Sequence, residues 1–143
     1  MNQLHFGDNI DVLRNTKLIK DESVDLIYLD PPFNSKANYS VIFGDKSGEF
    51  SEAQAEAFKD TWSWGPAAAQ AYDDIMKMHT DLSALMEAFK KWMGTSGMFA
   101  YLVMMTVRLV ELHRVLKDTG SIYLHCDPTA SHHLKICSAP TAS

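Results

Sequence analysis

Apolar and turn-forming residues alternate along the first thirty positions in a way that predicts strand, helix and strand. Leu4-His5-Phe6 ahead of Gly7-Asp8 predicts a short strand whose end Gly7 marks. Asn9 then stands as the cap of a helix carrying Ile10, Val12 and Leu13. Asp21-Glu22-Ser23 makes a polar turn, and Val24 to Leu29 follows as a nearly continuous apolar run. Such a run is the pattern of a strand covered on both faces in a parallel sheet, and Pro31 and Pro32 stop it. Strand, helix and strand within about 25 residues read as a βαβ crossover with a right-handed connection.

The rest of the chain is mostly helical in pattern. Residues 34–50 read as a loop, with Tyr39, Val41, Ile42 and Phe43 as a short strand or anchor inside it. Ser51 followed by Gln54 has capping-box spacing, so a helix is expected over 51–62. Two more helices are expected after Gly65-Pro66, over 67–79 and 82–93, before a break at 94–97. A long apolar helix follows over 98–117, and Asp118-Thr119-Gly120 turns the chain into a β-rich run, Ser121-Ile122-Tyr123-Leu124-His125-Cys126. Residues 129–135 begin a further helix, whereas 137–143 carry no core pattern, as though the design stopped midway. Trp62 and Trp64 sit where a lid over a ligand is imaginable, but tryptophans beside a helix end are expected to be core. The apolar stripe over 98–107 is expected to be core too.

Composition narrows the class. At 143 residues and 46% hydrophobic, the chain fits one domain with a real core. No basic stretch leads into an apolar run at the N-terminus, and the apolar stripe is too short and interrupted to cross a bilayer, so a soluble, cytoplasmic protein with no membrane partner is expected. Cys126 and Cys137 are too few for a disulfide framework. The net charge of −5, with no visible cluster of Lys or Arg, sits badly with nucleic-acid binding, because phosphate contacts supply most non-specific affinity. Either nucleic acid is not the partner, or the basic surface belongs to a part of a parent protein outside this chain.

The strongest chemical signal lies at Asp30-Pro31-Pro32-Phe33-Asn34, which stands at the carboxyl end of the apolar strand. Loops at that end form the crevice in which open α/β sheets take ligands. A carboxylate there accepts hydrogen bonds, while consecutive prolines fix the backbone and present their carbonyls. Phe33 offers a flat apolar face on which a base can stack. This set suits transfer to a base amine, whose lone pair is shared with the ring and turns outward only when its hydrogens are gripped. Asp-Pro-Pro is equally a rigid turn and Phe33 equally a core residue, so the tetrapeptide alone leaves both readings open.

Taken together, Gly7-Asp8-Asn9 and the segment from Asp21-Glu22-Ser23-Val24 through Asp30-Pro31-Pro32-Phe33-Asn34 resemble the opening of the N4/N6 amino-group DNA methyltransferase family in its beta-type order. Residues 108–117 with Gly120-Ser121-Ile122-Tyr123 resemble that family's helix and following strand, and His125 to His132 continue it. Only about 44–97 lies outside the matched stretches. The resemblance implies an α/β fold: an incomplete, Rossmann-like methyltransferase sheet of parallel strands with flanking helices. It makes residues 1–143 the N-terminal part of a catalytic domain, with a helical insertion over about 44–97. It further implies methyl transfer from S-adenosylmethionine to the exocyclic amine of a flipped base, adenine N6 favoured over cytosine N4, on double-stranded DNA bound by the full-length parent. Residue by residue, Asp30 and Pro31 resemble the pair that binds the amine through the carboxylate and a proline carbonyl. Pro32 shapes the loop and Phe33 resembles the aromatic that stacks on the base. Asp8 resembles the acidic residue contacting the cofactor's adenine, a helix-capping role being about as compatible with its spacing, and Asp30 borders the cofactor as well. His125 and Asp127 end a strand on the same edge as Asp30; for His125 a hydrogen-bonded strand end is the favoured reading.

One departure matters. The family grips its cofactor with a Phe-x-Gly-x-Gly type loop, and no two of the seven glycines here are separated by a single residue. The sequence therefore reads as a truncated piece, its tail even out of frame, that alone binds cofactor weakly or not at all and shows no turnover. An unpaired sheet edge would favour self-association. Rival readings are an RNA or protein-glutamine methyltransferase of the same fold, in which Asn more often takes the place of Asp30, and a non-catalytic interaction fragment. A zinc module from His125, Cys126, Asp127, His132, His133 and Cys137 is a further rival, at a spacing that fits no standard pattern. Transfer to carbon-5 of cytosine is a poor fit, since neither cysteine follows a proline.

Overall fold

A computed structural model describes residues 2–31 and 62–139. Its elements are α1 (Asn9–Arg14), β1 (Val24–Leu29), α2 (Pro66–Met76), α3 (Asp81–Met93), α4 (Gly97–Val115), β2 (Leu116–Leu124) and α5 (Pro128–Ser138). β1 and β2 pair in parallel, with helices packed beside them, so the α/β class is as expected. The expected loop, anchor and helix between 34 and 61 lie outside the described residues.

Helix α4 is the spine. Its run from Phe99 through Val103 is wholly buried, which explains why the segment is apolar on every side rather than striped. Ala71, Tyr72 and Ile75 of α2 and Leu82 and Met86 of α3 close over Phe99, Val103 and Val107, and Trp64 joins them. On another side, Tyr101, Leu102 and Met105 meet Ala130 and Leu134 of α5, with Trp62 packed alongside. Both tryptophans thus belong to the core, as expected. Leu13 of α1 and Ile27 of β1 pack on Leu112 and Val115 near the helix end.

Local signals fix where these helices begin and end. The Ser96 side chain accepts from Phe99 N at 3.2 Å and starts α4. Glycine is required at Gly97, where a Cβ would stand 2.7 Å from the Trp62 carbonyl oxygen. Gly94 ends α3 with φ +61°, a conformation natural to glycine. The hydroxyl of Ser83 donates to the Ile75 carbonyl at 2.6 Å, joining α3 to the end of α2.

Several expectations need correction. Residues 2–6 form no strand, and Leu4 and Phe6 are each 98% exposed. A strand needs a ladder partner, and the parallel partner of β1 is the distant β2, so the expected βαβ unit is not formed there. Asp8, rather than Asn9, caps α1, accepting from Ile10 N at 3.1 Å. The carboxylate reaches the second amide of the helix from one position earlier. β1 is covered on one face only: Ile27 is buried, whereas Leu26 and Tyr28 are 60% and 70% exposed. Finally, α5 runs to Ser138 and Cys137 is wholly buried, so the core reaches further along the chain than the composition of 137–143 suggests.

The turn read at Asp118-Thr119-Gly120 lies inside β2 as an irregularity. Val24 pairs with Leu116 and Leu26 with Ser121, so five steps along β2 face two along β1. Helix α4 stops at Val115, two residues short of expectation, because the chain is already drawn into pairing there. Glu22 N and Ser23 N donate to the carbonyls of Arg114 and Val115 at 3.0 and 2.9 Å. Arg114 also donates to Glu111 at 2.8 Å, to Asp21 and to the Leu13 carbonyl, which pins the turn before β1 to the end of α4. The hydrogen bond to Glu111 and the pairing with Asp21 hold its guanidinium pKa above the usual range despite burial.

No helix among the described residues is long and apolar enough to cross a membrane. The two cysteines are free and differ sharply. Burial pushes the Cys137 thiol up to about 11, and burial with the nearby Asp127 charge raises that of the partly exposed Cys126. Since the thiolate is the reactive form, a thiol reagent is expected to label Cys126 slowly in the native chain and Cys137 only after unfolding. Peptide mapping after labelling checks this, and native labelling of Cys137 would contradict the packing of α5 on α4.

Candidate active site at the strand ends

The sheet ladder carries Asp30 and His125 to the same place. Tyr28 pairs with Tyr123 and Leu29 with Leu124, and His125 N then donates to the Leu29 carbonyl at 2.9 Å. Asp30 and His125 therefore leave the carboxyl ends of two adjacent parallel strands side by side, at the margin where open α/β sheets take ligands. His125 Nδ1 lies 3.1 Å from Asp30 Oδ1. An ionised carboxylate only accepts, so the imidazole donates in this contact. Among the described residues, no hydrogen bond occupies the second oxygen, Oδ2. Both side chains reach solvent, at 65% for Asp30 and 59% for His125.

Pro31 follows Asp30 and is partly buried, while Pro32 and Phe33 lie outside the described residues. Asp127, expected on the same edge, is committed to capping α5, where it accepts from Ala130 N at 3.2 Å. Pro128 opens that helix at the position where a missing N–H is harmless.

Asp8 is held elsewhere by two jobs. Besides capping α1, it pairs with Arg108 of α4 at 2.7 Å, and no hydrogen bond or ion pair joins it to Asp30. Arg108 donates further to Asn9 Oδ1 and to the Met104 carbonyl, each at 2.7 Å. Sequence reasoning missed this anchor. Its signal was an arginine set among the apolar residues of α4, a cation that needs a partner to sit there at all.

Two other candidate sites carry less. The His, Cys and Asp residues that crowd 125–137 in sequence are dispersed by the strand end and helix α5. Among the described residues no three such side chains gather where a metal ion is held. A cavity of about 290 Å³ opens between α4, β2 and α5 and is lined by Leu109, Ile122, Leu124, Cys126 and Leu134, with Lys135 at hand. It includes neither Asp30 nor His125, and His113, Ser131 and Ser138 add polar groups to its largely apolar wall.

The chain is similar to two curated proteins. Over 131 residues the chain is 30% identical to the type III restriction-modification enzyme StyLTI Mod subunit of Salmonella typhimurium, covering 91% of this chain and 17% of that protein. It is 24% identical over 133 residues to the type II methyltransferase M.KpnI of Klebsiella pneumoniae, covering 93% and 22% respectively. The chain thus spans about a fifth of the length of these curated relatives. No solved structure matches it. The N6/N4 methyltransferase family, described as DNA methylase, matches residues 24–139, a span running from the first residue of β1 to the end of α5. With its parallel strands, flanking helices and Asp30 at the strand ends, this chain belongs to the N6/N4 DNA methylase family.

Proposed function

We propose that the chain carries the base-binding part of a restriction-modification type DNA methyltransferase that moves a methyl from S-adenosylmethionine to adenine N6 of a flipped base. In this reading residues 1–143 are the N-terminal part of the catalytic domain, and the segment of about 44–97 is a helical insertion within it. One observation carries the proposal: Asp30 stands at the carboxyl end of a parallel strand pair, and among the described residues no hydrogen bond occupies its second carboxylate oxygen.

The chemistry follows from that oxygen. An aromatic amine is a poor nucleophile while its lone pair is conjugated with the ring. Asp30 Oδ2 and the Pro31 carbonyl accept the two amine hydrogens, which holds the nitrogen with its lone pair out of the ring plane. Phe33 stacks on the extruded base and sets the plane in which the amine lies. S-adenosylmethionine supplies the electrophilic methyl when bound.

The described residues do not fit a cradle for that cofactor. A Cβ added at Gly7, Gly65 or Gly94 would meet nothing within 4 Å, and at Gly97 or Gly120 it would meet the chain's own Trp62, Leu116 and Lys117. No two of these glycines are separated by a single residue, as a close backbone cradle of the Gly-x-Gly kind requires. We therefore assign the acceptor side of the reaction to this chain and the main cofactor grip to the longer parent, with double-stranded DNA bound there as well. Alone, the chain is inactive.

Radiolabelled methyl transfer to DNA followed by nucleoside analysis tests this. The full-length enzyme is expected to yield N6-methyladenine and the 143-residue chain no label. N4-methylcytosine as the product would move the target base, and label transferred by the chain alone would overturn the division of labour.

A further inference from the structure

We infer that His125 is the positioning residue for Asp30: its Nδ1–H fixes the carboxylate so that Oδ2 faces the amine of the base. This deepens the role proposed for Asp30 above and rests on it. Three observations carry it. The contact is within hydrogen-bond distance, 3.1 Å between Nδ1 and Oδ1, and joins residues 95 positions apart in sequence. It is also registered by the backbone, because His125 N donates to the Leu29 carbonyl at 2.9 Å and so keeps the two strand ends from sliding past each other. Finally, it stands at the strand-end margin of the sheet and not in the core.

The exposure of the pair decides between a structural and a positioning role. At 59% and 65% exposure the two side chains are screened by water, and contacts of that kind add little to folding stability. An exposed carboxylate without a neighbour rotates about its Cβ–Cγ bond and presents either oxygen at any angle. With Oδ1 held by the imidazole, that rotation is stopped and Oδ2 keeps one direction. When a base enters and water leaves, the same hydrogen bond strengthens, so the positioning acts when it is needed.

The consequence is specific to one ring nitrogen. Asparagine places its amide nitrogen where Nδ1 of histidine stands, whereas glutamine reaches the place of Nε2. In the full-length methyltransferase, His125→Ala is expected to lower kcat about 10–100-fold with the KM for DNA unchanged. His125→Asn is expected to restore kcat to within about threefold of wild type, and His125→Gln is not. In the 143-residue chain itself, ¹⁵N shifts should show neutral His125 as the Nδ1–H tautomer, reverting to the commoner Nε2–H form in Asp30→Ala. The kinetic arms separate the two levels of the argument. If Asp30→Ala is inactive while His125→Ala keeps full kcat, the positioning role is wrong and the role of Asp30 stands; if Asp30→Ala keeps full activity, both fall. An Nε2–H tautomer in the wild-type chain overturns the positioning role without reference to activity.

Discussion

Replacing Phe99 with alanine is expected to lower stability by about 3–5 kcal/mol, a large part of the roughly 5–15 kcal/mol that holds a typical domain. Phe99 is wholly buried at the junction of α2, α3 and α4. Its ring stacks on Trp64 at 5.4 Å between centroids, with 13° between the planes, and meets Tyr72 edge-on at 5.9 Å. Lys90 lies 4.0 Å over the Tyr72 ring, so the aromatic cluster also holds a cation from α3. Alanine leaves a cavity that two neighbouring rings are too rigid to fill. A fall in Tm on the order of 10–20 °C should follow, read by circular dichroism, together with a lower urea midpoint. Trp92→Ala is the control, since that residue is 72% exposed, and it should cost at most about 1 kcal/mol. Equal losses in the two variants would contradict the packing described.

Asp30→Ala is expected to reduce single-turnover methyl transfer by the full-length enzyme by about 10³-fold or more. Removing one preorganised hydrogen-bonding group from a reacting centre typically costs about 10²–10³-fold, and in the proposed reaction the carboxylate both fixes the amine and takes up the positive charge that develops on it. DNA affinity should change little, because an anionic side chain contributes nothing to phosphate binding. Asp30→Asn should fall between the two, since its amide oxygen accepts one hydrogen without bringing charge. Activity of Asp30→Ala within about threefold of wild type would remove the carboxylate from the reaction.

These outcomes depend on features of unequal legibility in the sequence. The apolar run of β1 and the helices α2 to α5 were readable because each carries its own periodicity or cap, as Ser96 and Asp127 show. The site was readable at Asp30 for a related reason: two prolines end the strand abruptly and leave the carboxylate at its tip. What could not be read was pairing. Leu4-His5-Phe6 has the composition of a strand, but a strand exists only beside a partner, and composition does not say where the partner is. The sequence places His125 on the same edge as Asp30, but their direct contact depends on the register of Leu29 against Leu124, which it does not give. Arg108 was missed because its partners, Asp8 and Asn9, lie about a hundred residues away. The burial of Cys137 was not legible because the residues after it, 138–143, are small and carry no apolar pattern, while the cysteine itself faces α4.

The distance between β1 and β2 along the chain has a consequence for how the protein acquires its chemistry. Closing a loop of that length costs conformational entropy that only later contacts repay, so the two strand tips come together after the helices have condensed on α4. A collapsed intermediate with every helix formed would still lack the Asp30–His125 contact. Competence would then arrive last in folding, and amide protons in the ladder next to those tips should be among the late ones to gain protection from hydrogen exchange.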